Sequence, residues 1–264
     1  MTNDIKLYGR VFINATVKAV TGLHIGGSST GMEIGGIDNA IIRDALTSRP
    51  YIPGSSLRGK MRSQLEKYLN LRQNNSVGQV KIHTCKTAAE YDRDGGCPVC
   101  HIFGVPGEVE ATGPTLLIVR DTLLSDDSAD DLRKAHTDFA YSELKTEVAI
   151  DRVTSAASPR NIERVPAGAE FGPLEMVFSI YSEADIGRLK YVVEGLQLVE
   201  DDYLGGSGSR GSGKVAFIHL AVTARKSTDY SKLLNYADGR PMESLQELSS
   251  GYTALQAWVK EAIL

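Results

Sequence analysis

The feature that most constrains this chain is the alternation across residues 11–19. Val11, Ile13, Ala15, Val17 and Ala19 point one way, and Phe12, Asn14, Thr16 and Lys18 point the other. A period of two is that of a strand with one drier face, and such a strand needs a sheet around it and a layer to cover it. The covering layer follows. Pro53 and Gly54 end an extended piece, Ser55 or Ser56 offers an N-cap, and Leu57, Met61, Leu65 and Tyr68 recur at helical spacing to about Leu69. The remaining positions carry Arg58, Lys60, Arg62 and Lys67, so one face can pack while the rest stays positive. On most helices such bases are a solvated face. Here they cluster near the first turns, where the helix dipole attracts anions.

The pattern then repeats. Residues 115–119 are a short apolar run suited to a buried strand, the acid-rich residues 126–131 read as an exposed turn or helix start, and residues 175–181 alternate as a strand. Ile186, Leu189, Val193 and Leu196 mark an amphipathic helix ending near Val199, and a strand over 214–223 follows. The order strand, helix, strand, then strand, helix, strand predicts the α+β class: one domain over residues 1–264, a ferredoxin-like (RRM-like) sheet with helices on one side. The tail, 233–264, reads as largely helical. Two stretches break the scheme. Residues 71–113 have little periodicity and hold all the cysteines, and residues 138–170 mix charges, small residues and Pro159 without an apolar face, as a protruding hairpin would.

Composition bounds the function. With 264 residues, 42% of them hydrophobic, the chain can bury a core. A net charge of -4 excludes a surface that attracts nucleic acid everywhere, so any such binding uses local basic stripes. No apolar run approaches the roughly 20 residues that span a bilayer, and the start MTNDIKLYGR lacks a signal-peptide core; a cytoplasmic protein without membrane contact is expected. Three cysteines in such a reducing compartment favour metal ligation over disulfides.

Three sites stand out. His83 and Cys85, followed by Cys97-Pro-Val-Cys100, supply four ligands suited to tetrahedral, structural zinc; His101 competes for the fourth position, but His83 is preferred because the adjacent Cys100 and His101 rarely point at one metal. Residues 205–213, GGSGSRGSG, form a glycine-rich loop whose backbone N–H groups can approach an anionic backbone. Asp38 lies in IGGIDN, where flanking glycines leave a carboxylate accessible; by itself a loop aspartate there bonds nearby N–H groups.

The blocks TGLHIGGS (21–28), IGGIDN (34–39), YIPGSSLRGKMRS (51–63), PRNIERV (159–165) and LGGSGSRGSGKV (204–215) resemble, in order, the RAMP-superfamily backbone subunit of the type III-A CRISPR (Csm) effector complex. The resemblance covers about residues 10–220. It implies an RRM-like palm with an inserted zinc-binding lid (71–113) and a hairpin thumb (138–170). It further implies copies stacked in a helical filament along a guide RNA, with other subunits of the complex, and cleavage of the target RNA at regular intervals.

By this resemblance Asp38 is the catalytic residue of a divalent-metal-dependent step, with Mg²⁺ or a similar cation. The reaction is attack of a ribose 2′-hydroxyl on its adjacent phosphate, and Asp38 either helps hold the cation or accepts the hydroxyl proton. Guide contacts are implied at Ser55, Ser56, Arg58, Lys60 and Arg62 and at Gly206, Ser207, Gly208, Ser209 and Arg210. Thumb contacts fall to Arg152, Arg160 and Arg164. His24, a packing or RNA-contacting residue, completes the set. Alternatives are an architectural RNA-binding subunit with no cut of its own, a guide-precursor processing nuclease, and an unrelated zinc-ribbon module.

Overall fold

The computed structural model describes residues 5–27, 40–106 and 113–264. Its centre is the predicted strand, β1 (Gly9–Ala19), whose burial alternates along its whole length. It is flanked on both sides by antiparallel partners: Val11 lies opposite Ala224 on one side and Phe178 on the other.

The elements that frame β1 come in the expected order: α1 (Gly54–Tyr68), β2 (Leu117–Val119), β3 (Glu170–Ile180), α2 (Glu183–Asp201) and β4 (Val215–Lys226). Across the sheet the order is β4, β1, β3, β2, all antiparallel. The chain is therefore a mixed α and β structure on an antiparallel sheet. Helices α1 and α2 pack on each other and on the sheet, with Leu57, Met61, Leu65, Leu189, Val192 and Leu196 fully buried in one core. Tyr68, expected in this stripe, is 60% exposed in the last turn.

Helix α1 starts two to three residues earlier than the serines suggest. Pro53 is its N-cap and makes no side-chain cap bond; Ser55 and Ser56 lie in the first turn. The Gly54 N–H instead donates to Asp121 Oδ1 at 2.7 Å, so a distant carboxylate satisfies this end. Glycine is required there, because a Cβ would meet the Val119 carbonyl oxygen at 2.1 Å.

The tail is helical over most of its length, as expected, but its start and residues 242–244 are strand. Residues Asp229–Asn235 form a strand on the outer side of β4, Met242–Ser244 pairs with β4 as well, and Leu245–Ser250 and Tyr252–Ile263 are α-helical. The open edge of β4 offers unpaired backbone groups that a returning segment can satisfy, and this outweighs the weak local preference. Residues Glu143–Ile150 and Ala157–Arg164 pair with each other from Glu143↔Arg164 to Ile150↔Ala157, and with no other strand among the described residues. Asp151 closes their turn by accepting the N–H groups of Val153 and Thr154. No described helix is long and apolar enough to cross a membrane.

Candidate nucleic-acid interface and metal centre

The insertion after α1 brings its four predicted ligands together. Two short strands, Asn75–Val77 and Val80–Ile82, carry the chain to His83, and Cys97 caps the helix Pro98–Phe103 that holds Cys100. The ligand atoms of His83, Cys85, Cys97 and Cys100 all lie within 4.8 Å of one another. His83 Nε2 is 3.4 Å from Cys97 Sγ and 3.7 Å from Cys85 Sγ. This set could hold a metal ion, and three sulfurs with one imidazole match tetrahedral zinc. His101 is turned elsewhere: its ring stacks on Tyr91 with centroids 3.8 Å apart and meets the Tyr91 carbonyl. Of the two histidines that compete for the fourth position, His83 is the one that faces the sulfurs.

The electrostatics of the cluster are those of a poised ligand set. Hydrogen bonding from Cys100, then from His83, lowers the Cys97 thiol to about 4, whereas burial raises Cys85 to about 11. The Cys100 thiol is pushed up, first by its bond to Cys97. The thiolate at Cys97 raises the His83 imidazole in turn. Binding a metal at this cluster releases thiol protons.

The basic face of α1 meets this insertion. Arg62 donates to the carbonyls of His83 at 2.7 Å and Gly104 at 3.1 Å, and its Nε pairs with buried Glu66 at 2.9 Å. Arg58 donates to the Phe103 carbonyl at 2.6 Å; burial, then the neighbouring Arg62, lowers its pKa. These two arginines therefore satisfy the carbonyls that end the Pro98–Phe103 helix. Lys60 pairs with Asp202 at 2.7 Å and lies 3.6 Å from the centre of the Tyr203 ring. Of the residues expected to face phosphate on this helix, Ser55 is exposed and Ser56 half-buried.

The glycine loop follows α2. Its backbone is held by the segment around His24: the Gly206 N–H donates to the His24 carbonyl at 2.8 Å, and the Gly213 N–H to that of Gly22 at 2.9 Å. Gly205 has φ +79°, and a Cβ there would meet the His24 carbonyl oxygen at 2.1 Å, so only glycine allows this approach. Ser207 is itself left-handed, at φ 60°. Ser209 and Arg210 are exposed, and Arg210 donates to Ser207 Oγ at 3.1 Å. His24 is buried, with Nδ1 2.6 Å from the Glu163 carbonyl.

Glu163 is not among the residues that the sequence singles out. Its side chain, 3% exposed, accepts the Ile41 N–H at 3.0 Å, the Arg43 guanidinium at 2.6 Å and the Ser142 hydroxyl. Burial raises this carboxyl, but the bonds from Ser142, Ile41 and Arg43 together outweigh it and leave the pKa lowered. The one signal in the sequence is an acid between Ile162 and Arg164 in a charge-rich stretch, which by itself reads as a surface residue. Of the hairpin bases, Arg164 pairs with Glu143 at 2.7 Å, Arg160 with Glu147 at 3.1 Å, and Arg152 is exposed at the tip. Asp38 lies outside the described residues. The described backbone resumes at Ala40, directly before the Ile41 that Glu163 holds.

The fold and these sites define a class. The RAMP superfamily model matches residues 16–216, and the chain belongs to that family. It is 38% identical over 250 residues to the CRISPR system Cms endoribonuclease Csm3 of Methanothermobacter thermautotrophicus, covering 90% of this chain and 96% of that one. Among solved structures it is similar to the crystal structure of the Csm3-Csm4 subcomplex in the type III-A CRISPR-Cas interference complex. That match has a TM-score of 0.58 and 29% identity, over 95% of this chain and 98% of that one. The crystal structure of Methanopyrus kandleri Csm3 shares the fold, with a TM-score of 0.65 at 22% identity over 94% and 97% of the two chains.

Proposed function

We propose that this chain is an endoribonuclease of the type III-A interference complex: a guide-RNA-binding backbone subunit that cleaves the target RNA. The full-length similarity to relatives named Csm3 endoribonuclease carries this reading. Copies stack as a cytoplasmic filament along the guide, together with other subunits of the complex, and cuts fall at regular intervals. The ferredoxin-like palm is the sheet of β1 to β4 with α1 and α2, the lid is residues 71–113 and the thumb is the hairpin within 138–170.

Within this reading Asp38 performs the cut. Bending one nucleotide out of the guide–target duplex aligns its 2′-hydroxyl with the adjacent phosphate, and Asp38 either accepts the hydroxyl proton or holds a divalent cation such as Mg²⁺ at that phosphate. DNA lacks the hydroxyl and is spared. Both flanks of the segment that bears Asp38 are tied to Glu163, through its carbonyl to His24 and through its carboxylate to Ile41. That arrangement supports a carboxylate presented at the thumb base.

Guide phosphates are bound by Ser55, Ser56 and Lys60 at the start of α1 and by residues 206–210, with Arg152, Arg160 and Arg164 touching the duplex near its interruption. Hydroxyls, backbone N–H groups and cations read phosphate and leave bases free, as a binder of arbitrary guides requires. Arg58 and Arg62 serve that surface from behind, by bracing α1 against the lid. Zinc, held by His83, Cys85, Cys97 and Cys100, keeps the lid folded.

The test is an Asp38→Ala complex programmed with a guide. Loss of evenly spaced products with unchanged target binding is the expected result; retained cleavage rejects the nuclease role and leaves an architectural subunit.

A further inference from the structure

The hairpin and the glycine loop meet at one carboxylate. Glu147, on the first hairpin strand, faces Arg160 directly across the ladder, and their side chains pair at 3.1 Å. A cross-strand ion pair would explain that much. It does not explain two further cations. Arg210 of the glycine loop reaches the same Oε2 at 3.0 Å, and Lys145 Nζ lies 3.4 Å from Oε1 while donating to the Arg210 carbonyl at 2.8 Å. The Glu147 side chain is only 11% exposed, although Arg160 and Arg210 are each 45% exposed.

Three cations on one carboxylate leave an excess positive charge at a surface where a loop and a hairpin converge. The geometry resembles an anion site: two guanidinium groups converge on Oε2, and an ammonium lies 3.4 Å from Oε1. A phosphodiester offers the same charge and the same acceptor oxygens. Ion pairs made by solvent-exposed guanidinium groups are individually weak, because water screens them and competes for the same donors, so an incoming phosphate can exchange with the carboxylate.

We infer that Glu147 occupies a phosphate site in the RNA-free chain, holding Lys145, Arg160 and Arg210 together until an RNA phosphodiester displaces it. The displacement removes the carboxylate link between the glycine loop and the hairpin and leaves the Lys145 bond to the Arg210 carbonyl, so guide binding and hairpin position are coupled through this side chain. The inference rests on the RNA-binding reading above and adds an internal competitor to it.

The experiment uses the purified full chain and a fluorescein-labelled single-stranded RNA of mixed sequence, with binding followed by anisotropy over a series of KCl concentrations. Glu147→Gln keeps the shape of the side chain and removes its charge. The expected result is a roughly fivefold tighter Kd at low salt and a log–log salt slope steeper by about 0.7 for each additional phosphate neutralised. Arg210→Gln weakens binding, and in the double variant Glu147→Gln no longer tightens it to the same degree. Glu175→Gln, which frees Arg120 on the sheet instead, is the control for a general loss of negative charge.

Equal affinity of the wild-type and Glu147→Gln chains overturns the inference while leaving RNA binding intact. Equal tightening by Glu175→Gln also overturns it, because the effect would then belong to net charge. RNA bound by neither chain overturns both this inference and the RNA-binding reading.

Discussion

The carboxylate of Glu163 accepts the backbone N–H of Ile41 at 3.0 Å, joining positions 122 residues apart. It also holds Arg43 and Ser142, and the Glu163 carbonyl meets the His24 ring, so one buried acid ties the base of the hairpin to both flanks of residues 28–39. Removing the side chain leaves Arg43 without its carboxylate, although its bonds to Ser48, Ala140 and Ser142 remain, and the Ile41 N–H without an acceptor. Glu163→Ala is expected to cost about 3 kcal/mol, near the lower end for a broken buried pair because Arg43 retains some solvent. Urea denaturation measures it.

The same residue sets part of the acid limit of stability. Its folded pKa lies below the ordinary value of 4.5, so its contribution is fully present above that value and is lost as pH falls through the lower, folded one. Glu163→Gln should therefore lower stability at neutral pH and flatten its decline on acidification. Thermal melts of both chains from neutral to acid pH test this; parallel curves would contradict it.

Metal loading depends on the four-donor cluster. Elemental analysis of the purified chain should give about one zinc per molecule, and Cys97→Ser should abolish it while lowering Tm. Full zinc content in that variant would rule out the assigned ligand set.

Arg62 links that cluster to α1. Arg62→Ala leaves the His83 and Gly104 carbonyls without their donor and Glu66 buried without its cation, at a cost of about 3 kcal/mol. Because His83 belongs to the donor set, the variant should also release zinc faster to a chelator. Release at the wild-type rate would show that the lid folds independently of α1.

The glycine loop tolerates no side chain at its first bend. Gly205→Ala combines a left-handed backbone with a Cβ 2.1 Å from the His24 carbonyl oxygen, and about 1 to 3 kcal/mol of strain is expected. The loop should detach from His24 before the core unfolds, so RNA affinity falls more than Tm does. Binding titrations beside thermal melts separate the two.

Local pattern alone discloses a great deal. The alternation at 11–19, the helical spacing of Leu57, Met61 and Leu65, and the amphipathic run from Ile186 each correspond to an observed element, because periodicity records which face is dry. The four-donor cluster is legible for a similar reason: its donor chemistry and C-x-x-C spacing are written in nearby residues. His83 is preferred over His101 because adjacent residues such as Cys100 and His101 rarely face one metal, and in the structure it is His83 that faces the sulfurs. The start of the tail and the short strand Met242–Ser244 depart from its helical reading, since Asp229–Asn235 and Met242–Ser244 both answer to the edge of β4.

Residue type tells little about what the charged groups touch. Arg58 and Arg62 read as a phosphate-facing pair, yet they bond carbonyls of the lid; Glu163 and Glu147 read as surface acids, yet each gathers partners from distant segments. The sequence by itself determined the framing elements, the family to which the chain belongs and the four-donor set, because these depend on neighbours along the chain. Only the tertiary structure decided that Arg43 meets Glu163 and that Lys60 meets Asp202, because packing brings those partners together and no local spacing encodes a pairing made across more than a hundred residues.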